Sequence, residues 1–164
     1  MKTIVLDERQ INQKLDRIAY QIYEDTFEEE SILLVGIHGN GIKIAKVLKE
    51  LLEKIGQQEI TVCEMIIDKK KPLDHPITTD VDMNDYQGQP IILIDDVINS
   101  GRTMQYALME LLKYLPKKLK TVALVDRKHR NFPIRCDYEG LTLSTTLQDR
   151  IEVEFEGNKK AYLV

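Results

Sequence analysis

The chain has 164 residues, long enough for one domain with a buried core and short for two of ordinary size. Hydrophobic residues make up 43% and charged residues 30%, a globular balance that excludes a disordered chain. A formal net charge of -4 argues against a nucleic-acid binder that is basic all over, and no apolar run reaches the roughly 20 residues of a membrane span. Met1 to Glu8 lacks the apolar core of a signal peptide. Cys63 and Cys136 stand far apart, outside any CxxC or Cys/His cluster, and read as reduced, mostly buried thiols of a cytoplasmic protein.

Ile11, Leu15, Ile18 and Ile22 recur at helical spacing and predict an amphipathic helix from residue 8 to about 26, with Asp7 as its N-cap. Glu28-Glu29-Glu30 closes it at a solvated turn. Ser31 to Ile37, with Ile32-Leu33-Leu34-Val35 inside it, is a buried strand. It runs into Gly36-Ile37-His38-Gly39-Asn40-Gly41 and then a helix whose inner face is Ile44/Ala45, Leu48, Leu51/Leu52 and Ile55. Three glycines before a helix either make a packing turn or let backbone N–H groups approach an anion closely. Ile60 to Ile67 is a further strand. From Asp68 to Gln89 the chain is polar and aperiodic, a length uncommon inside a compact domain. That segment reads as a lid, as a β-hairpin at the sheet edge, or as both.

Ile91-Ile92-Leu93-Ile94 reads as a short strand buried on both faces. Asp95 and Asp96 follow, then a polar turn with Gly101, then Thr103 opening a run of helix formers from Met104 to Leu115. A strand, a turn and a helix N-terminus bring free N–H groups and the positive end of a helix dipole to one point, which suits a phosphate. The two acids would repel that phosphate. They suit sugar hydroxyls, or a cation that hydroxyls and a second phosphate share. Phosphate, polyol and divalent metal in one loop describe a phosphorylated ribose carrying a pyrophosphate. An ordinary βα turn with a solvated Asp pair is the bland alternative, but such turns seldom join two acids to a Ser-Gly-Arg-Thr cap. Lys117-Lys118-Leu119-Lys120 reads as a basic helix end. Thr121 to Val125 reads as the next parallel strand, ending at Asp126-Arg127. Ile151 to Phe155 alternates, and with Gly157-Asn158 as a turn and Ala161 to Val164 returning it predicts a C-terminal hairpin. Strands alternating with helices give a single α/β domain over residues 1–164, with a central parallel sheet flanked by helices. Ligands belong at the carboxyl ends of its strands, where Gly36–Gly41, Asp95–Thr103 and Asp126–Asp137 converge.

The stretch 91–103 resembles the phosphoribosyl-pyrophosphate (PRPP) motif of type I phosphoribosyltransferases: apolar strand, two acids, two variable residues, then Thr/Ser-Gly-Arg/Lys-Thr. The glycine loop resembles the pyrophosphate loop of the same enzymes, which tend to carry Lys and Arg where His38 and Asn40 stand. Val125 to Gly140 is similar to the matching stretch of PyrR-type bifunctional pyrimidine-operon regulators that are also uracil phosphoribosyltransferases. That likeness spans nearly the whole chain.

The resemblance implies the type I phosphoribosyltransferase fold, with a flexible lid loop or hairpin that excludes water. Asp95 and Asp96 would be the catalytic carboxylates on the ribose hydroxyls. Asn99, Ser100, Gly101, Arg102 and Thr103 would bind the 5′-phosphate, with Arg102 either a ligand or structural. Ile37, His38, Gly39, Asn40 and Gly41 would surround the pyrophosphate, held by backbone amides, metal and His38. Val125, Asp126, Pro133 and Ile134 would lie near the base. Mg2+ would be the cofactor, and Asp137 either a second metal contact or the anchor of a turn. Purine enzymes of this type usually carry Asp as general base two residues before the motif glycine; here that residue is Asn99, which cannot accept a proton, so uracil is favoured over a purine. Family members assemble as homodimers or larger. Arg127, Lys128, His129, Arg130 and Arg135 face either substrate phosphate and acidic neighbours or, as in the regulators, messenger RNA. The net charge and Asp16 on the exposed side of the first helix count against RNA. A uracil-using enzyme, a purine phosphoribosyltransferase, a nucleotide-sensing RNA-binding attenuator, and an idle PRPP or nucleotide sensor suggested by His38 and Asn40 all stand at this level.

Overall fold

Asp7 starts the first helix through a reciprocal cap. Its carboxylate accepts the Gln10 N–H at 2.8 Å while the Gln10 side chain accepts the Asp7 N–H at 2.9 Å. The computed structural model describes all 164 residues, Met1–Val164, and this helix, α1, covers Glu8–Thr26. Strand β1 (Thr3–Leu6) precedes it. There follow β2 (Ser31–Ile37), α2 (Asn40–Ile55), β3 (Glu59–Ile66), β4 (Thr78–Thr79), β5 (Pro90–Ile98), α3 (Arg102–Leu112), β6 (Lys118–Asp126), β7 (Tyr138–Thr142), β8 (Ile151–Glu154) and β9 (Lys160–Leu163).

Six strands form one sheet in the order β4-β3-β2-β5-β6-β7, parallel except for the antiparallel edge strand β4. Side chains alternate across it. Ile92 and Ile94 of β5 join Ile32, Leu34 and the inner faces of α1 and α2, including Ile11, Leu15, Ile18, Ile44 and Leu48. Ile91 and Leu93 join Leu33, Val35 and the buried side of α3, Met104, Ala107 and Leu111. The uninterrupted apolar runs thus reflect a sheet covered on both sides. No helix is long and apolar enough to cross a membrane.

The C-terminal hairpin forms as β8 and β9, and β1 adds to its edge as a separate three-stranded antiparallel sheet. The segment 68–89 returns along β3 as the short β4, pairing Met65 with Thr79 and Ile66 with Thr78, and makes one 3-10 turn at Met83–Tyr86. The edge hairpin is therefore present. Lys118 to Lys120 corrects the expectation of a basic helix end, because those residues open β6. Lys118 Nζ donates to the Asp25 carbonyl at 3.0 Å, and Lys117 Nζ, just before the strand, pairs with Glu29 at 2.7 Å. Glu29 accordingly belongs to an ion pair, not to a wholly solvated run.

Candidate active site at the carboxyl ends of β2, β5 and β6

The β2–α2 and β5–α3 junctions are brought together by missing side chains. A Cβ on Gly36 would lie 2.5 Å from Ile42 Cα, and one on Gly41 would lie 2.6 Å from the Ile94 carbonyl oxygen. Only glycine lets α2 sit this tightly on β2 and its first turn reach β5 just ahead of Asp95. At the second junction, Gly101 adopts φ +89° and caps α3 with no side-chain hydrogen bond, so the first N–H groups of that helix lack a partner from its cap. The Ser100 hydroxyl accepts the Arg102 N–H at 3.3 Å.

Asp95 ends up 3% exposed at the floor of this junction. Its Oδ1 accepts the Asp96 N–H at 2.9 Å, and Lys69 Nζ lies 3.4 Å from both of its oxygens. Burial, and then the neighbouring Asp96 charge, push its carboxyl up to about 7, against the pull of Lys69. Asp96 is half-buried. One oxygen accepts the Val97 N–H at 2.7 Å and the other accepts Asn40 Nδ2 at 3.0 Å. The same Asn40 amide donates to the Val153 carbonyl at 2.8 Å, which ties the glycine loop, the acid pair and β8 together. His38 points away. Its ring is two-thirds exposed and its Nδ1 sits 2.8 Å from Glu64 Oε2, while its backbone N–H donates to the Met65 carbonyl.

A cavity of about 260 Å3 opens above these groups, lined by Lys69, Asp95 and the 97–104 stretch. A second, of about 700 Å3, shares Asn99 and Ser100 with it and is walled by Arg127, His129, Thr145, Thr146 and Leu147 among others. Arg127 builds that wall. Its guanidinium, 7% exposed, donates to Asn99 Oδ1 at 2.8 Å, Thr145 Oγ1 at 2.9 Å and the Thr146 carbonyl at 3.0 Å. Two adjoining polar cavities joined at one loop can hold a charged, two-part ligand, with the acid pair under one part.

Of the residues singled out from sequence, Asp95, Asp96, Asn99, Ser100, Gly101, Arg102 and Thr103 meet at this junction, with Ile37, Gly39, Asn40 and Gly41 beside it. Arg102 is structural in this state, its guanidinium donating to the Lys70 carbonyl at 2.8 Å. Val125 is wholly buried in the core and lines neither cavity. Asp126 is also buried, accepting Arg130 Nη2 and the Lys128 N–H at 2.9 Å each. Ile134 packs over the Gly101 turn, where a Cβ would meet its Cγ1 at 2.7 Å, and Pro133 is exposed beside it. Asp137 is remote. It lies beside Thr121, five residues below Asp126 on the neighbouring strand, roughly 16 Å from the carboxyl end at the usual strand rise. Its carboxylate accepts the Thr121 N–H at 2.9 Å and pairs with Arg135 at 2.8 Å, so it anchors the start of β7. Sequence reasoning singled out neither Lys69, which lies in the polar 68–89 segment read as a lid or hairpin, nor Thr145 to Leu147, which carry no motif.

Divalent metal was expected here. No three His, Cys, Asp or Glu side chains gather to hold an ion by themselves. Asp95 and Asp96 are the two carboxylates of the site, and both lie where they could contribute oxygens to an ion.

Residues 2–156 match the phosphoribosyl transferase domain family. The chain is similar to the bifunctional protein PyrR of Haemophilus ducreyi, 34% identical over 163 residues that span 95% of this chain and 91% of that protein. It is similar to the bifunctional protein PyrR of Bacillus subtilis, 35% identical over 164 residues, 94% of this chain and 91% of that protein. Among solved structures it is similar to the hypoxanthine phosphoribosyltransferase of Trypanosoma cruzi, with TM-score 0.79 and 15% identity over 98% of this chain and 95% of that one. A hypoxanthine-guanine phosphoribosyltransferase from Bacillus anthracis gives TM-score 0.69 and 23% identity over 85% of this chain and 81% of that one. At these identities the solved structures bear on the fold alone.

Proposed function

Because the chain belongs to the phosphoribosyl transferase domain family, we propose that it moves ribose 5-phosphate from PRPP to uracil, forming UMP and releasing pyrophosphate with the help of Mg2+. The observation that carries the choice of base is Asn99. It stands where a purine enzyme needs a proton acceptor, and its amide oxygen already accepts a hydrogen bond from Arg127. Similarity to proteins named PyrR supports the same choice.

The reaction breaks the bond from ribose C1 to the pyrophosphate oxygen and makes one from C1 to a ring nitrogen of uracil, whose N–H proton passes to the departing pyrophosphate. Positive charge develops on the sugar and negative charge on the leaving group. This chain's part is positioning and charge placement. Asp95 and Asp96 accept the ribose hydroxyls and favour the cationic sugar. N–H groups at the start of α3, with the Ser100 and Thr103 hydroxyls, hold the 5′-phosphate. The Gly39–Gly41 amides take the pyrophosphate, with Asn40 keeping Asp96 oriented. Asp95 and Asp96 would help hold Mg2+, which would supply positive charge against the departing pyrophosphate. The base occupies the second cavity, where Asn99 and Ser100 adjoin the sugar site and Thr145 to Leu147 form the far wall. The 68–89 hairpin closes over the reacting centre and keeps water out.

A cytoplasmic home suits the two free thiols, Cys63 and Cys136, which burial pushes up to about 12. Exposed Met109 and Leu112 on α3 supply apolar surface for the expected homodimer or larger assembly. RNA control is the second reading, supported by the name bifunctional in the relatives. Arg127 and Arg130 are turned inward, which leaves Lys128 and Arg135 as the exposed charges of that cluster and weakens this reading. The direct test is chromatographic detection of UMP from PRPP and uracil with and without Mg2+. Formation of UMP that depends on Mg2+ is expected, and none at any Mg2+ concentration would overturn the proposal.

A further inference from the structure

We infer that Lys69 is the mobile cation of the active site: it counters Asp95 in the free protein and passes to a phosphate of PRPP when ribose hydroxyls take its place on that acid. The inference rests on the PRPP reading above and adds a residue to it.

A ligand with three phosphoryl groups needs positive charge, and the glycine loop supplies none that is free. His38 is engaged with Glu64, and Asn40 is neutral with its amide spent on Asp96 and Val153. The sugar-phosphate cavity has two cationic side chains in its wall, Lys69 and Arg102. Arg102 gives its guanidinium to the Lys70 carbonyl, so it holds backbone. Lys69 is left.

Its placement is built, not incidental. Asp68 Oδ1 accepts the Lys70 and Lys71 N–H groups at 2.9 and 3.0 Å, a side-chain turn that fixes the backbone around Lys69 from one side. Arg102 fixes it from the other. The ammonium then sits between both oxygens of Asp95 at 3.4 Å, looser than the 2.7–2.9 Å of a tight charge-assisted bond. The partners are unequal: the Asp95 side chain is 4% exposed and that of Lys69 is 49% exposed, with its open side toward the cavity. A loose pair with one mobile, solvated member exchanges easily. Hydroxyl donors on Asp95 replace the contact that the lysine gives up, so the buried carboxylate is never left without a partner.

Calorimetric titration of PRPP with Mg2+ into the unsubstituted protein, Lys69→Met and Lys69→Arg tests this, alongside steady-state kinetics with uracil. Lys69→Met should bind PRPP about 10- to 100-fold more weakly, with the KM for uracil unchanged, as befits loss of one charged hydrogen bond. Lys69→Arg should recover affinity to within about threefold, since charge and reach are kept. Equal PRPP affinity for Lys69→Met and the unsubstituted protein would overturn the inference while leaving the functional reading in place. Failure of Lys69→Arg to rescue would also overturn it, by making the role one of shape. Failure of the unsubstituted protein to bind PRPP would overturn the functional reading, and this inference with it.

Discussion

Asp95 holds its charge at a cost to the fold. Its carboxyl is raised to about 7 by burial and by Asp96, so between pH 4 and 7 the folded protein keeps a proton that the unfolded chain has released. Stability from this group is therefore complete below the ordinary carboxyl range and falls as pH rises through 7. Asp95→Asn keeps the Asp96 N–H contact and removes the buried charge. It should lower turnover at least 100-fold, yet raise stability by about 2 kcal/mol at pH 8 and by little at pH 4, read from denaturant midpoints at both pH values. The same ionisation should limit the acid side of the reaction, with kcat/KM for PRPP rising between pH 6 and 8 as Asp95 becomes able to accept hydroxyl protons. A profile flat across that range would show that Asp95 does not touch the sugar. Gly101 gives a second test. A branched side chain there meets φ +89° and the Ile134 side chain at once, so Gly101→Val should weaken PRPP binding about tenfold or more through a distorted phosphate turn. Unchanged affinity by titration would put the phosphate elsewhere.

Arg127 works at the scale of elements. Asn99 in the β5–α3 turn and Thr145 and Thr146 in the loop before β8 are all held by this one buried guanidinium. Arg127→Met should cost about 1 to 3 kcal/mol, because partly buried carbonyls and an amide lose their donor. Amide exchange should quicken at 145–149 well before it does in β5, and uniform protection would show that the loop stands without the arginine. How legible each element was from sequence follows its surroundings. Ser31–Ile37 and Ile91–Ile94 read plainly because a strand covered on both faces is apolar throughout. Strand β1 is four residues long and has meaning only against β9 at the far end of the chain, which no local pattern can express. The charges of Lys118-Leu119-Lys120 suggest a helix end through dipole compensation, whereas these residues open β6 and Lys118 reaches past the strand to the Asp25 carbonyl.

At the scale of the molecule, two sheets close one site. The large sheet presents the acid pair and both glycine-bearing turns at its carboxyl edge, and the small sheet meets it through Asn40, which donates at once to Asp96 and to Val153 of β8. The motif residues of this site were readable because backbone geometry and charge demand them: glycine where α2 touches β5, two acids beneath a phosphate turn. The wall of the second cavity was not. Val125 looked like a pocket residue and is core, while Thr145 to Leu147 owe their place to Arg127 and to tertiary closure. Base identity is therefore read by one direct measurement. That measurement is pyrophosphate release from PRPP and Mg2+ in the presence of uracil, hypoxanthine, guanine, xanthine or no base. Release with uracil alone is the predicted result. Release with a purine in its place would contradict the role given to Asn99, and no release with any base would contradict phosphoribosyl transfer by this chain.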